Sequence, residues 1–272
     1  MPGPPPGPTS GPQQGSGGSK KGWLVGLAIL VVAATAGGGF LLTQKDDDNS
    51  TGGGGQSSST TTPATPDADA LAVEDNGGSH YVDKFRSQPR YGYAVVVRNT
   101  VDQAATDVAV TLDFLDADGK VLATTTSYIH VLPAKAQMGV AGTITPGLVE
   151  IELADIERID HLEVRSVEPT GWAPMADQGK VVASNPSSEV DDDGLVNTSF
   201  EADSTYKRAL RQPTVTALYR NAAGDLIGGD SDISLGFIDV EGHFNETLEG
   251  RETIGAGIDA DKTEVYVDPH DS

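Results

Sequence analysis

The chain contains no cysteine. That excludes a disulfide framework, a thiolate nucleophile, a Cys-based zinc site and the lipid-modified cysteine of bacterial lipoproteins, so stability outside a cell has to come from a packed core. Acidic residues are missing from the first 45 positions, and bases are scarce beyond them. Residues 46–272 carry all 40 Asp and Glu against 15 Lys and Arg, a formal charge of −25. Such a surface repels nucleic acid and anionic lipid, and it suits cations, basic partners or simple solubility. The histidines are His80, His130, His161, His243 and His270, with no pair at i, i+2 or i, i+4 and no HExxH, so a zinc hydrolase has no scaffold. GxSxG and P-loop patterns are absent too. Neither an enzyme nor a cofactor is expected.

One uncharged run stands out, Trp23 to Leu42, WLVGLAILVVAATAGGGFLL. A helix of that length is about 30 Å long, the thickness of a bilayer's hydrocarbon core. Lys20 and Lys21 precede it and Asp46, Asp47 and Asp48 follow, so the positive-inside rule places the N-terminus in the cytoplasm and the C-terminal part outside. The same run also reads as a signal peptide, with Ala34-Thr35-Ala36 as the cleavage site. Residues 1–21 are Pro, Gly, Ser and Gln rich and are expected to be disordered; 22–43 is the expected transmembrane helix; 44–70 is a Gly/Ser/Thr-rich flexible linker.

The remaining residues read as strands. In Val108 to Leu115, Val108, Val110, Leu112 and Phe114 share one face while Ala109, Thr111 and Asp113 share the other. Asp116-Ala-Asp-Gly119 then forms a hairpin turn, with Gly119 free to take positive φ, and Val121 to Thr126 returns. Tyr128 to Leu132 is expected as a further strand ended by Pro133, and Tyr93 to Arg98 as one upstream. Within Leu148 to Asp160, Val149, Ile151 and Leu153 alternate as in a strand. The pattern returns 105 positions later: Thr100, Ala104, Val110, Thr111, Ala117 and Gly119 recur as Thr205, Ala209, Val215, Thr216, Ala222 and Gly224. This predicts two copies of one β domain, residues 71–168 and 169–272.

The run VVVRNTVDQAATDVAVTLDFLDADGKVLATTTSYIHVLP resembles the FxLYD domains of bacterial envelope proteins. Asn99, Leu112, Phe114, Asp116 and Gly119 carry the match, with Leu115 where the family prefers tyrosine. In the second copy Ala217, Tyr219, Asn221 and Gly224 take those places and Arg220 replaces the tyrosine. The resemblance implies an all-β fold of two tandem immunoglobulin-like antiparallel β-sandwiches on the outer side of a membrane, and it brings no catalytic residue.

Candidate sites are few. Asp191, Asp192 and Asp193, before Gly194, form the better of two acidic turns for a loose calcium site, since Asp116 to Gly119 lacks the carboxylates an EF-hand needs. A solvated acidic turn is the preferred reading of them. Lys207, Arg208 and Arg211 form a basic cluster able to meet an acidic partner or to offset local charge. Trp172, in PTGWAP between the copies, is expected to pack where the domains meet or to anchor a partner or sugar. The expectation is an extracytoplasmic binding or scaffolding protein of the cell envelope, attached to the membrane through residues 22–43, its partner an unidentified protein or cell-wall polymer and not nucleic acid. A secreted sandwich and a calcium-dependent adhesion module are the alternatives.

Overall fold

The computed structural model describes residues 66, 68–83, 85–174, 179–192, 194–233, 237–250 and 257–269. The expected tail, the 22–43 helix and most of the linker lie outside them. No helix among the described residues is long and apolar enough to cross a membrane.

The fold is all-β and antiparallel. A first set of elements comprises β1 (Leu71–Asp83), β2 (Gln88–Asn99), β3 (Gln103–Leu115), β4 (Val121–Leu132), β5 (Gln137–Ile144), a single helical turn α1 (Leu153–Ile156) and β6 (His161–Pro174). A second set comprises β7 (Val181–Val190), β8 (Val196–Ser204), β9 (Leu210–Arg211), β10 (Thr214–Arg220), β11 (Leu226–Ile233), β12 (Phe237–Ile238), β13 (His243–Leu248) and β14 (Glu264–Asp268). The first set makes two sheets, β1-β2-β5 and β4-β3-β6; the second repeats both orders as β7-β8-β13 and β11-β10-β14 and adds the pair β9-β12. Moved back by the 105-position shift, β10 falls within β3, β8 within β2, β11 within β4 and β13 within β5.

Alternation along β3 explains the first core. Val108, Val110, Leu112 and Phe114 are completely buried, and they meet Tyr91, Tyr93, Val95 and Val97 of β2 in one cluster. Two tyrosine rings, Tyr91 and Tyr93, stand edge-on to Phe114 at centroid distances of 5.8 and 5.4 Å, the geometry that aromatic quadrupoles favour. The second half has its own cluster around Phe200, Val215, Ala217 and Tyr219.

Two segments differ from the sequence expectation. Val121 to Leu132 is one strand, because nothing between Thr126 and Tyr128 breaks the ladder and Ser127 pairs with Val110. The alternation of Val149, Ile151 and Leu153 does not produce a strand; the chain turns through α1 instead, and Ile156 and Ile159, three residues apart, drop into the core at 0% and 2% exposure. Helical spacing of those isoleucines outweighs the local period of two.

All these strands belong to one compact unit, Thr60–Ser272. The two halves meet face to face through the sheets of β2 and β10. Ala94 and Val96 of β2, on the side away from the first core, pack against Leu218 and Leu226, with Ala141 and Tyr266 closing the patch. The approach is close enough to require glycine. A Cβ on Gly139 would stand 2.7 Å from the Tyr266 ring and 2.8 Å from a Leu218 methyl, and one on Gly77 would stand 2.2 Å from the Leu226 carbonyl oxygen. Polar links border the patch: Ser79 Oγ donates to the Ile227 carbonyl at 2.6 Å, and Arg220 Nη1 reaches Asp75 at 2.5 Å while its Nε holds Glu264 at 2.6 Å. Gly139→Val should therefore destabilise the unit by about 1–3 kcal/mol through overpacking, read as a lower urea midpoint. An unchanged midpoint would mean that the halves do not rely on this contact.

Candidate functional site

The acidic turns come first, because they were the candidate metal ligands. Asp116, Asp191 and Asn221 each begin the same hairpin. The residue's carbonyl accepts from the glycine three positions on, Gly119, Gly194 or Gly224, at 2.8–2.9 Å, and each of these glycines has φ between 78° and 95°. The side-chain oxygen accepts from the amide four positions on: Lys120 at 3.0 Å, Leu195 at 2.9 Å and Asp225 at 3.0 Å. One Asx-turn chemistry thus serves three β-hairpins. Asp191 directs a carboxylate oxygen to its own backbone, Asp192 is exposed, and Asp193 lies outside the described residues. Among the described residues no group of three His, Asp or Glu is placed to hold a metal ion.

Asp116 carries an additional charge pair, Arg158 Nη2 to its Oδ2 at 2.7 Å. The backbone hydrogen bond from Lys120, joined by that from Asp118 and by the Arg158 charge, holds its carboxyl below the usual range, with desolvation opposing them. A carboxyl depressed in the folded state adds stability above its unfolded pKa of about 3.9, and that stability is lost as pH falls through the folded value. Asp116→Asn keeps the turn, as Asn221 does natively, and removes the charge pair. The stability difference between the two proteins should therefore be present at pH 7 and shrink as pH falls through the depressed value of the folded carboxyl in urea melts.

The other candidates are spread apart. Trp172 lies on β6, paired with Ala105 of β3, and packs half-buried against the first core. Lys207 and Arg208 are exposed between β8 and β9, Lys207 pairing with Glu241, and Arg211 is exposed on β9. The side chains at the centre of the patch between the halves are Ala94, Val96, Leu218 and Leu226, which the sequence did not single out.

What the fold does bring together is a cleft of about 580 Å³ at the junction. The β4–β5 turn and start of β5 (Pro133, Lys135, Met138) form one wall; the start of β7 (Lys180, Val182) and β14 (Val265, Tyr266) form the other. Among the described residues no Asp or Glu lines it, although the chain has 40 of them, and both charged lining residues are lysines. Lys135 is anchored by donating to the Thr100 carbonyl at 2.6 Å, while exposed Lys180 has no ion pair among the described residues. Tyr266 donates its hydroxyl to Glu264 at 2.6 Å, and burial pushes that phenol's pKa well up, so it stays neutral. No local pattern marks this site, since its lining is drawn from segments as far apart as Ala104 and Val267; what joins them is the sheet-to-sheet contact.

A carboxylate also ties β14 to the first half. Asp268, 5% exposed, accepts from the His130 amide at 2.7 Å, the Val131 amide at 3.1 Å and the His130 imidazole Nδ1 at 3.0 Å. Burial nevertheless pushes its carboxyl up, with the His130 and Val131 amides opposing. Asp268→Ala would leave two amides on edge strand β4 without this acceptor and should cost about 2–4 kcal/mol of stability. His130→Ala, which keeps both amide bonds, should cost less than about half as much in the same denaturation measurement.

No family model and no curated protein matches the chain. Among solved structures, the transglutaminase of red sea bream is similar over 75% of this chain and 32% of that one, at 12% identity and a TM-score of 0.23. The chain spans about a third of that neighbour's length, and a likeness so slight bears neither on fold nor on activity.

Proposed function

We propose that the chain is a membrane-anchored binding or scaffolding protein of the outer face of a cell envelope, without catalysis, in which residues 71–168 and 169–272 are immunoglobulin-like sandwiches of the FxLYD kind. Residues 22–43 anchor it and 44–70 hold the β unit off the membrane. The observation that carries the binding reading is the carboxylate-free, lysine-bordered cleft on a strongly acidic chain. Pockets of a few hundred Å³ with convergent polar groups at a domain junction are the usual place for a ligand. The family resemblance gains support from Asn99, completely buried, whose amide donates to the Gln103 and Leu132 carbonyls at 2.7 and 3.1 Å and whose oxygen accepts from Val101. Such a residue ties the β2–β3 corner to the end of β4 through its own hydrogen bonds.

Full-length protein carrying a photocrosslinker at Val182, an exposed cleft residue, should capture a partner in intact cells, while the same group at exposed Val190, outside the cleft, should not. Equal capture at both positions would remove the cleft as the binding site. Release of the chain from membranes by a carbonate wash would remove the anchor.

A further inference from the structure

We propose that the junction cleft takes a short extended peptide segment bearing a carboxylate beside aliphatic side chains. This rests on the binding reading above and assigns the class of ligand.

Three features favour it. Charge is the first: Lys135 and Lys180 are the charged residues of the lining and no Asp or Glu among the described residues joins them, on a chain of net charge −22, so an anionic group meets less repulsion here than over most of the remaining surface. Lining chemistry is the second. Pro133, Met138, Val182 and Val265 offer aliphatic surface, and Tyr266 is the single aromatic in the lining. Sugar sites usually stack their ligand on several rings, whereas branched aliphatic side chains fill a wall of this kind. Backbone is the third. Three strands that border the cleft are edges of their sheets: β5 ends the order β1-β2-β5, β7 ends β13-β8-β7, and β14 ends β11-β10-β14, while Ala104 comes from central β3. Edge strands carry a row of N–H and C=O groups without ladder partners, which recognise another main chain in extended form. A peptide meets all three at once, with its main chain along an edge, its aliphatic side chains on the walls and its carboxylate at a lysine.

The test is selection of a random octapeptide library on full-length protein in detergent, with tetragalacturonate as the anionic sugar probe. Enriched sequences should pair Asp or Glu with Val, Leu or Ile. A synthetic copy should bind at least about tenfold more weakly to Lys135→Glu/Lys180→Glu and to Val182→Asp, and more weakly as salt rises. Lys180 and Val182 are exposed, so these variants should keep the parent circular dichroism and melting temperature. Enrichment of peptides without a carboxylate, affinity indifferent to the variants, or binding of tetragalacturonate with no peptide enriched would each overturn the assignment. If no peptide is enriched while the Val182 crosslinker still captures a partner, the ligand class fails and the binding reading stands. If the crosslinker also captures nothing, both fail.

Discussion

Burial of two central strands on both faces is the constraint from which the arrangement follows. In β2 every residue from Arg90 to Val97 is buried, and in β10 every residue from Val215 to Tyr219. An antiparallel strand normally alternates, with one face in a core and one in water. Here Tyr93, Val95 and Val97 fill the first core while Ala94 and Val96, between them, meet the second half. On β2 the tyrosine Tyr93 faces the core and its neighbour Ala94 the junction, whereas on β10 Ala217 faces the core and Leu218 the junction, so room for Leu218 has to come from small residues opposite it. Gly139 and Gly229 extend the same logic to β5 and β11, where a Cβ would collide with Leu218 or Ala141. Close backbone approach, more than large apolar area, brings the halves together, and the cleft beside the contact is a consequence of that docking.

Arg220 shows how the two halves differ at corresponding positions. It occupies the place that corresponds to Leu115 in the first half, at the register shift that opens each hairpin. Leu115 closes against its own half and is 7% exposed. Arg220 faces the junction, joining Asp75 of β1 to Glu264 of β14, and donates to the Gly224 carbonyl at 2.8 Å. Arg220 therefore serves the junction. Planar guanidinium suits the role, because it can satisfy two carboxylates and a carbonyl from one stem. The Asp75 contact would otherwise place an acid beside Glu264 at the edge of a dry interface.

The strands were legible in the sequence wherever one physical signal dominated. Val108 to Leu115 alternates because one face is core, and Asp116 to Gly119 reads as a turn because its glycine must take positive φ. The copy at 105 positions was readable from the same turn and strand, since Asn221 and Gly224 repeat the hairpin chemistry even where few other residues agree. Leu153 to Ile159 misled because its period of two is a local accident, overridden once Ile156 and Ile159 find the core. The acidic run Asp191 to Gly194 invited a metal reading from charge alone; its alignment with two other Asx hairpins was available in the spacing and gives the aspartate a backbone task. The cleft was not readable. Lys135 and Lys180 carry no motif, and their nearness depends on how two faces of sheet dock, which no window of sequence encodes.

A surface this acidic also makes the location of its cations informative. Of the described basic side chains, eight stand in ion pairs with acids: Arg90, Arg98, Lys135, Arg158, Arg165, Lys207, Arg220 and Lys262. Exposed pairs of this kind contribute little to stability one at a time, so their main effect is to relieve repulsion among neighbouring carboxylates. Lys135 does this only in part, since its closer contact is the Thr100 carbonyl and Asp102 stands 3.6 Å away with most of its surface in water. Lys180 does not do it at all among the described residues. These two lysines are the only charged residues among the described lining of the cleft, Lys135 with its ammonium largely engaged and Lys180 without an acid partner among the described residues. In so negative a chain, a carboxylate bound there would meet Lys180 with less repulsion than elsewhere on the surface.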